Sequence, residues 1–509
     1  MPNTILRALR AHAAADPSRI ALQGDQHCLD YATLSQQIDS LAAWLTTQGM
    51  RRAALCGGNS PQWLVADLAA WQAGVALVPL PAFFSSVQQE HALREAGIEC
   101  LLVCGAAALP PTVLAVGDTP VPGIRWVRIA ALAEPGALPP GTCKITYTSG
   151  TTGQPKGVCL DTSMLEAVSG ALATRIHQAA GMVDAVQAHF TLLPLATLLE
   201  NVAGAYVPLL LGKRVIVRGE AQTGLHGSSQ LDLPRLLQTL QQDQPHSLIL
   251  LPQILRGLVL AAEQGLHLLN SLRFVAVGGA TTPPALIRRA RALGLPVYEG
   301  YGLSECGSVV ALNAPGVERI GSVGQVLPHV RVRIDCGAIQ VAGNVFPGYL
   351  GQPASSADNW LDSGDLGHLD DDGFLYVTGR RKHLLITGYG RNVSPEWVES
   401  ELTLSPAIAQ VMVLGEAQAF LGAIVVPARA AAPEAVARAI ADANARLPDY
   451  ARVRRFLVAA EPFTVGNGLL TDNARLRRDA IASRYDAALA TLFATPASVP
   501  SQDLAHDVL

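Results

Sequence analysis

Lysine is almost absent from this chain. Of 37 basic residues in 509, four are lysines, Lys144, Lys156, Lys213 and Lys382, which leaves 37 − 4 = 33 arginines. No lysine follows Lys382, so a cation needed in the C-terminal segment must be a planar guanidinium rather than a compact ammonium. Charge is sparse as well, at 15% of residues with a net of -4, and no basic stripe interleaves with aromatics; this excludes a general attraction to nucleic acid. The eight cysteines, at 28, 56, 100, 104, 143, 159, 306 and 336, lack CxxC spacing and an accompanying histidine pattern. That argues against a zinc site or a disulfide scaffold and fits a reducing, cytoplasmic setting. No charged start leads into an apolar signal segment, and Glu200, Asn201 and two prolines interrupt the apolar stretch 192–212, which therefore reads as buried and not as a transmembrane segment.

What is present is apolar bulk. Half the residues are hydrophobic, and single cores stop growing near roughly 250–300 residues, so two or more domains are expected. The first 140 residues alternate between strand and helix. Ala53–Cys56 reads as a strand, Ser60 and Pro61 as the cap and first turn of a helix, 75–79 as a second strand, 86–96 as a helix and 98–103 as a third strand. The alternation resumes at 215–217, with Asp232 capping a helix that carries Pro234. It continues through strands at 247–251, 272–277 and 297–299, with a helix opened by Pro283 and Pro284. This spacing predicts parallel sheets with helices on their faces. Between 320 and 380 short alternating runs such as Val330–Ile334 read as a small barrel-like β unit, and beyond Arg380 comes a smaller α+β region.

One loop stands out chemically. Tyr147-Thr148-Ser149-Gly150-Thr151-Thr152-Gly153-Gln154-Pro155-Lys156-Gly157 combines hydroxyls, glycines and one lysine after a hydrophobic approach. Glycines let backbone N–H groups turn toward phosphate oxygens, hydroxyls add donors, and Lys156 adds a point charge. It is not the usual GxxxxGK[ST] loop, because Gly157 follows Lys156 and no adjacent hydroxyl can hold magnesium. A Gly/Thr-rich surface turn is the plain alternative. Ligands of open α/β sheets bind beyond the carboxyl ends of strands, which directs attention to Gly278-Gly279-Ala280 and to Gly300-Tyr301-Gly302-Leu303-Ser304-Glu305.

With Trp360–Gly367, Gly379–His383 and the tail Phe463–Thr471, these segments make the chain resemble the adenylate-forming superfamily, which includes acyl-CoA synthetases, peptide-synthetase adenylation domains and luciferase. The tail is most similar to the fatty acyl branch. The resemblance runs from the helix near Pro61 to about Arg478. It implies a large N-terminal ATP- and acyl-binding domain over 1–379 with its β subdomain at about 320–379, a hinge at 380–383, and a small mobile α+β domain over 384–509. It also implies two steps. ATP and a carboxylic acid give an acyl adenylate and pyrophosphate, and after the small domain rotates a thiol takes the acyl group.

By the same resemblance, Thr148, Ser149, Gly150, Thr151, Thr152, Gly153 and Lys156 grip the β and γ phosphates. Ser304 meets the α phosphate, and Glu305 helps hold Mg2+, a hard ion suited to carboxylate and phosphate oxygen. Gly278, Gly279, Ala280 and Gly302 line the adenine, with Tyr301 stacked on it. Asp365 accepts both ribose hydroxyls, and Arg380 contacts ribose or phosphate. Lys382 is the hinge. Gly388, Gly390 and Arg391 belong to a loop that either faces the thiol channel or only turns the chain, with Ser394-Pro395 capping the next helix. Thr197, Gly307 and Val309 fall in the acyl pocket. Asp362 and Asp370–Asp372 read as a solvated turn.

Three positions depart from the family pattern. Arg475 stands where the adenylation lysine is expected, Thr197 where fatty acyl members carry histidine, and His383 where aspartate is common. Arginine keeps the charge of lysine but prefers a planar fork. The implied reactants are ATP, Mg2+ and coenzyme A, with the phosphopantetheine of an acyl carrier protein as an alternative acceptor. Transfer to a non-thiol nucleophile, β-lactone closure, and a silent acyl or nucleotide binder remain open. The expected assembly is a monomer or homodimer.

Overall fold

The computed structural model describes residues 3–105, 113–130, 136–148, 155–179, 181–227, 230–265, 270–352, 360–429, 431–471 and 474–494. Two large sheets dominate. One has a parallel centre of Arg52–Cys56, Ala76–Pro79, Cys100–Cys104 and Thr142–Thr148, flanked by antiparallel strands that include Lys156–Asp161 and the short edge strand Gly348–Tyr349. The other runs in parallel from Val297–Tyr301 through Phe274–Val277, Ser247–Leu250, Ala188–Thr191 and Arg214–Val217 to Ile20–Gln23. Several of these strands are buried along their whole length, as expected where helices cover both faces.

The helix Pro61–Gln72 is buried nearly all round, so it sits inside a core rather than on a surface. Its start follows the local reading: Ser60 accepts from the Trp63 N–H and proline occupies the first turn. Asp232 likewise caps Leu233–Asp243. The apolar stretch at 192–212 contains a π-helix, Glu200–Tyr206, that the sequence pattern does not disclose. Two buried polar groups anchor it. Glu200 accepts from the Leu193 N–H at 3.2 Å and pairs with His189, while Asn201 and Tyr206 meet Asp67 and Lys144.

The unit expected over 320–379 is a four-stranded antiparallel sheet of Val330–Asp335, Ala338–Gly343, Leu361–Leu369 and Leu375–Arg380. Asp362, Asp371 and Asp372 are exposed, as expected of a solvated turn, and arginines pair with Asp362, Asp370 and Asp372 at the surface. Asp370 and Asp372 clamp Arg319, and Asp362 pairs with Arg381 at 2.9 Å, because turn geometry brings arginines from distant segments alongside. Beyond Arg380 a three-stranded sheet, Ile408–Leu414, Leu421–Pro427 and Val453–Val458, packs against Pro395–Leu402 and Pro433–Arg446. Ser394 precedes the first of these helices, but its hydroxyl donates to the Glu396 carboxylate instead of capping a backbone N–H.

This region docks on the second large sheet. Arg256 donates to the carbonyls of Ser405 and Ile408 at 2.7 Å each, Arg289 to that of Leu404 at 3.2 Å, and Leu404 joins the core around Leu255 and Leu286. Burial lowers the Arg256 pKa to about 10, with Arg289 adding to the effect. Among the described residues no helix is long and apolar enough to cross a membrane.

Candidate active site

Thr148 and Lys156 lie directly opposite each other in an antiparallel pair, so the chain leaves and re-enters the sheet at one level. The loop between them, with Ser149, Gly150, Thr151, Thr152 and Gly153, lies outside the described residues. Lys156 emerges over the ring of Tyr349, its Nζ 5.4 Å from the ring centroid. The Tyr349 hydroxyl donates to Glu305 Oε1 at 2.9 Å, and the Phe346 N–H donates to the Glu305 carbonyl at 2.7 Å. A cation-facing aromatic ring thus links the two segments expected to handle phosphate and magnesium.

Glu305 lies in a short 3-10 turn, Ser304–Cys306, that begins just beyond the strand Val297–Tyr301. Two glycines allow the close packing around it. A Cβ on Gly302 would lie 1.6 Å from the Ser308 carbonyl oxygen, and one on Gly278 would lie 2.9 Å from that of Gly300. These contacts hold the two strand-end loops against each other, the surface on which adenine was expected. Glu299, one turn of chain earlier, is buried, and desolvation pushes its carboxyl from 4.5 up to about 8, with Thr282 alongside offsetting part of the effect.

Asp365 and Arg380 face each other across an antiparallel pair. Arg380 Nε meets Asp365 Oδ1 at 2.7 Å, and the Tyr301 hydroxyl donates to Oδ2 at 2.7 Å. Each carboxylate oxygen keeps lone-pair capacity for a further donor, as two ribose hydroxyls require. Burial, and next the neighbouring Asp365 charge, hold the Tyr301 phenol well above its usual range.

Arg475 comes to this same corner. Its residue is exposed, yet the protein packed near its guanidinium lowers its pKa; Arg380, within electrostatic reach, adds to the effect and Asp365 opposes it. Lys382 is lowered by burial first, then by Arg380 and Arg475, with Glu396 and Asp479 opposing. Among the described residues neither Arg475 nor Lys382 makes a side-chain ion pair, so two cations are left without carboxylate partners beside Asp365 and Arg380. Such an excess of positive charge suits a polyphosphate.

The acyl-side residues gather less tightly. The Thr197 hydroxyl donates to the Pro194 carbonyl at 2.6 Å and so stabilises its own turn. Asn59 bridges that loop, donating to the Leu193 carbonyl and accepting from the Leu195 N–H. Gly307 backs onto Met164, Val168 and Asn344, Val309 is buried, and Ser308 holds a φ of 121° with a buried hydroxyl that has no hydrogen-bond partner among the described residues. A shallow cleft includes Pro194 and Ala196 of the same loop, with Asn59, Phe83, Arg218 and Leu225, but none of the nucleotide-facing residues.

Gly388, Gly390 and Arg391 form the tip of a small hairpin. Gly388 N–H donates to the Gln418 carbonyl, Gly390 N–H to that of Thr387, and Tyr389 is exposed. No bond joins this tip to the Asp365 corner among the described residues. His383 pairs with Glu396, which also lies 3.6 Å from Arg478.

Tyr349 is a contact of two expected site residues, Lys156 and Glu305, that the sequence pattern does not disclose. It is remote from both Lys156 and Glu305 in the chain, and only the antiparallel register of Tyr349 with Val158 brings it there. For magnesium the donor set fits an ion arriving on a nucleotide. Among the described residues Glu305 Oε2 receives no donor, and no group of three or more metal-ligating side chains exists. Mg2+ takes one or two carboxylates and completes its shell with phosphate and water.

The sequence pattern of the AMP-binding enzyme family matches residues 9–350, and that of the AMP-binding enzyme C-terminal domain matches 382–496. A feruloyl-CoA synthase of Amycolatopsis sp is 31% identical over 458 residues, covering 82% of this chain and 87% of that protein. The long-chain-fatty-acid–CoA ligase FadD15 of Mycobacterium tuberculosis is 26% identical over 563 residues, covering 89% and 90%. In fold, the chain is similar to the anthranilate CoA ligase AuaEII in complex with anthranoyl-AMP, at a TM-score of 0.78 with 18% identity and coverage of 96% and 98%.

Proposed function

The chain belongs to the AMP-binding enzyme family, and on that footing we propose that it activates an apolar carboxylic acid, aliphatic or aromatic, and passes it to coenzyme A. It is an ATP-dependent, AMP-forming acid–thiol ligase that uses ATP, Mg2+ and coenzyme A. The carboxylate of the acid attacks the α phosphorus and the bond to pyrophosphate breaks. The thiol then attacks the acyl carbon and AMP leaves.

The observation that carries the residue roles is the meeting of Tyr301, Asp365 and Arg380 at one corner, with Arg475 within electrostatic reach of Asp365 and Arg380. In this reading Asp365 holds the ribose and Tyr301 packs on the base. Ser304 meets the α phosphate, and Lys156 with its loop grips the departing pyrophosphate. Glu305 would hold the magnesium, which would neutralise phosphate charge when bound. Arg475 supplies the cation that stabilises charge at the reacting phosphorus, where preorganised groups contribute most. We read this arrangement as the adenylating one, a reading supported by the electrostatic reach of Arg475 to Asp365 and Arg380. Rotation about Lys382 then brings Gly388, Gly390 and Arg391 toward the thiol.

The acid is defined by apolarity. Ala196, Leu198 and Val309 are buried, and the Thr197 hydroxyl is already committed to its own turn. Relatives named for ferulate, for indoleacetate and for long-chain fatty acids support this class without narrowing it to the fatty acyl branch. Incubating the protein with ATP, Mg2+, coenzyme A and a panel of aliphatic, aryl and dicarboxylic acids tests it. AMP, pyrophosphate and acyl-CoA should form with the apolar acids. Turnover confined to dicarboxylic acids, or none across the panel, would overturn the proposal.

A further inference from the structure

We propose that Tyr349 is a positioning residue that keeps the phosphate lysine and the metal carboxylate apart and correctly aimed. The inference rests on the roles proposed above for Lys156 and Glu305. Tyr349 occupies a two-residue edge strand, and four local interactions fix it. Tyr349 registers opposite Val158, the Leu350 N–H donates to the Gly157 carbonyl at 2.8 Å, and the Phe346 N–H donates to the Glu305 carbonyl at 2.7 Å. The Phe346 ring packs edge-on against Tyr349 with centroids 4.8 Å apart. The side chain therefore starts from backbone bonded both to the lysine's strand and to the glutamate's turn.

From that position one side chain meets two opposite charges by different means. Its ring faces the Lys156 ammonium, which attracts the cation without consuming an N–H donor. Its hydroxyl takes one Glu305 oxygen, and among the described residues the other receives no donor. Lys156 and Glu305 make no ion pair with each other among the described residues. A direct pair would neutralise both groups and remove them from phosphate and magnesium. Tyrosine stabilises each charge while leaving its ligand-facing valences available, which neither phenylalanine nor leucine does in full.

Two substitutions separate the two contacts. Tyr349→Phe keeps the ring and removes the hydroxyl; Tyr349→Leu removes both. Equilibrium binding of ATP, measured by calorimetry without acid across a series of Mg2+ concentrations, is the readout, with pyrophosphate exchange beside it. Tyr349→Phe should raise the Mg2+ concentration for half-maximal ATP binding by about 10- to 100-fold, the scale of one hydrogen bond to a charged group, and leave Mg2+-free ATP binding unchanged. Tyr349→Leu should weaken ATP binding both with and without Mg2+. If both variants lower thermal stability and exchange rate while the Mg2+ dependence stays that of the parent protein, Tyr349 is only structural and the proposal fails. Glu305→Gln distinguishes this from a failure of the underlying assignment. If Glu305→Gln abolishes the Mg2+ dependence and Tyr349→Phe does not move it, the Tyr349 role alone is wrong. If Glu305→Gln leaves the dependence intact, the Glu305 assignment is wrong and the Tyr349 role falls with it.

Discussion

Lys144 and Lys156 stand on the two strands of one hairpin, and their surroundings could hardly differ more. Lys144 is buried, pairs with Asp67 at 2.7 Å, donates to Tyr206 at 2.6 Å and also reaches Asn201. Lys156 is exposed, faces an aromatic ring, and has no hydrogen-bond acceptor among the described residues. An ammonium has three donors. Where the protein takes all of them the lysine is part of the core, and where it takes none they are available to a ligand. With only four lysines in the chain, this contrast separates a structural cation from the one proposed to meet phosphate inside a single supersecondary unit.

The contrast can be broken from either side. Lys144→Met leaves Asp67 buried without its partner, and we expect a loss of about 3–5 kcal/mol in chemical denaturation, the usual result of removing one member of a buried pair. A smaller but distinctive effect is expected at Glu299, whose folded pKa lies above its ordinary value. Folding then takes up a proton between about pH 4.5 and 8, so the contribution of this group is full below that window and is lost as pH rises through it. Glu299→Gln should flatten the stability profile there by an amount on the order of 3 kcal/mol. Lys156→Ala should change stability by less than about 1 kcal/mol while slowing pyrophosphate exchange about 100-fold, equivalent to roughly 2.7 kcal/mol of transition-state stabilisation. The smallest effect is expected between the domains. Arg256→Ala with Arg289→Ala loosens the docking seen here, and should slow adenylation about 3- to 10-fold without slowing transfer from a supplied acyl adenylate to coenzyme A.

What the sequence discloses follows the same division between local and distant causes. Ser60-Pro61 and Asp232 with Pro234 announce helix starts because caps act over three residues, and alternating strand and helix announce parallel sheets. The Asp365–Arg380 meeting is half legible, since the two lie on neighbouring strands of one antiparallel unit. Tyr349 beside Lys156, Asp67 beside Lys144, and Arg319 clamped by Asp370 and Asp372 are set by register and packing between remote segments, which no local pattern encodes. The π-helix at Glu200–Tyr206 is hidden for a related reason. Its extra residue per turn is stabilised by buried partners on other elements rather than by its own composition. Ser394 shows the converse failure: a sequence that reads as a cap gives its hydroxyl to Glu396 once that carboxylate is in reach.

The central claim is that Arg475 does the work of the missing adenylation lysine at the corner formed by Asp365 and Arg380. Pyrophosphate exchange on the parent protein and on Arg475→Ala, with an apolar acid that the protein accepts, tests it most directly. The account predicts a fall of about 100-fold in exchange with transfer from supplied acyl adenylate to coenzyme A retained. Equal exchange rates in the two proteins would contradict it.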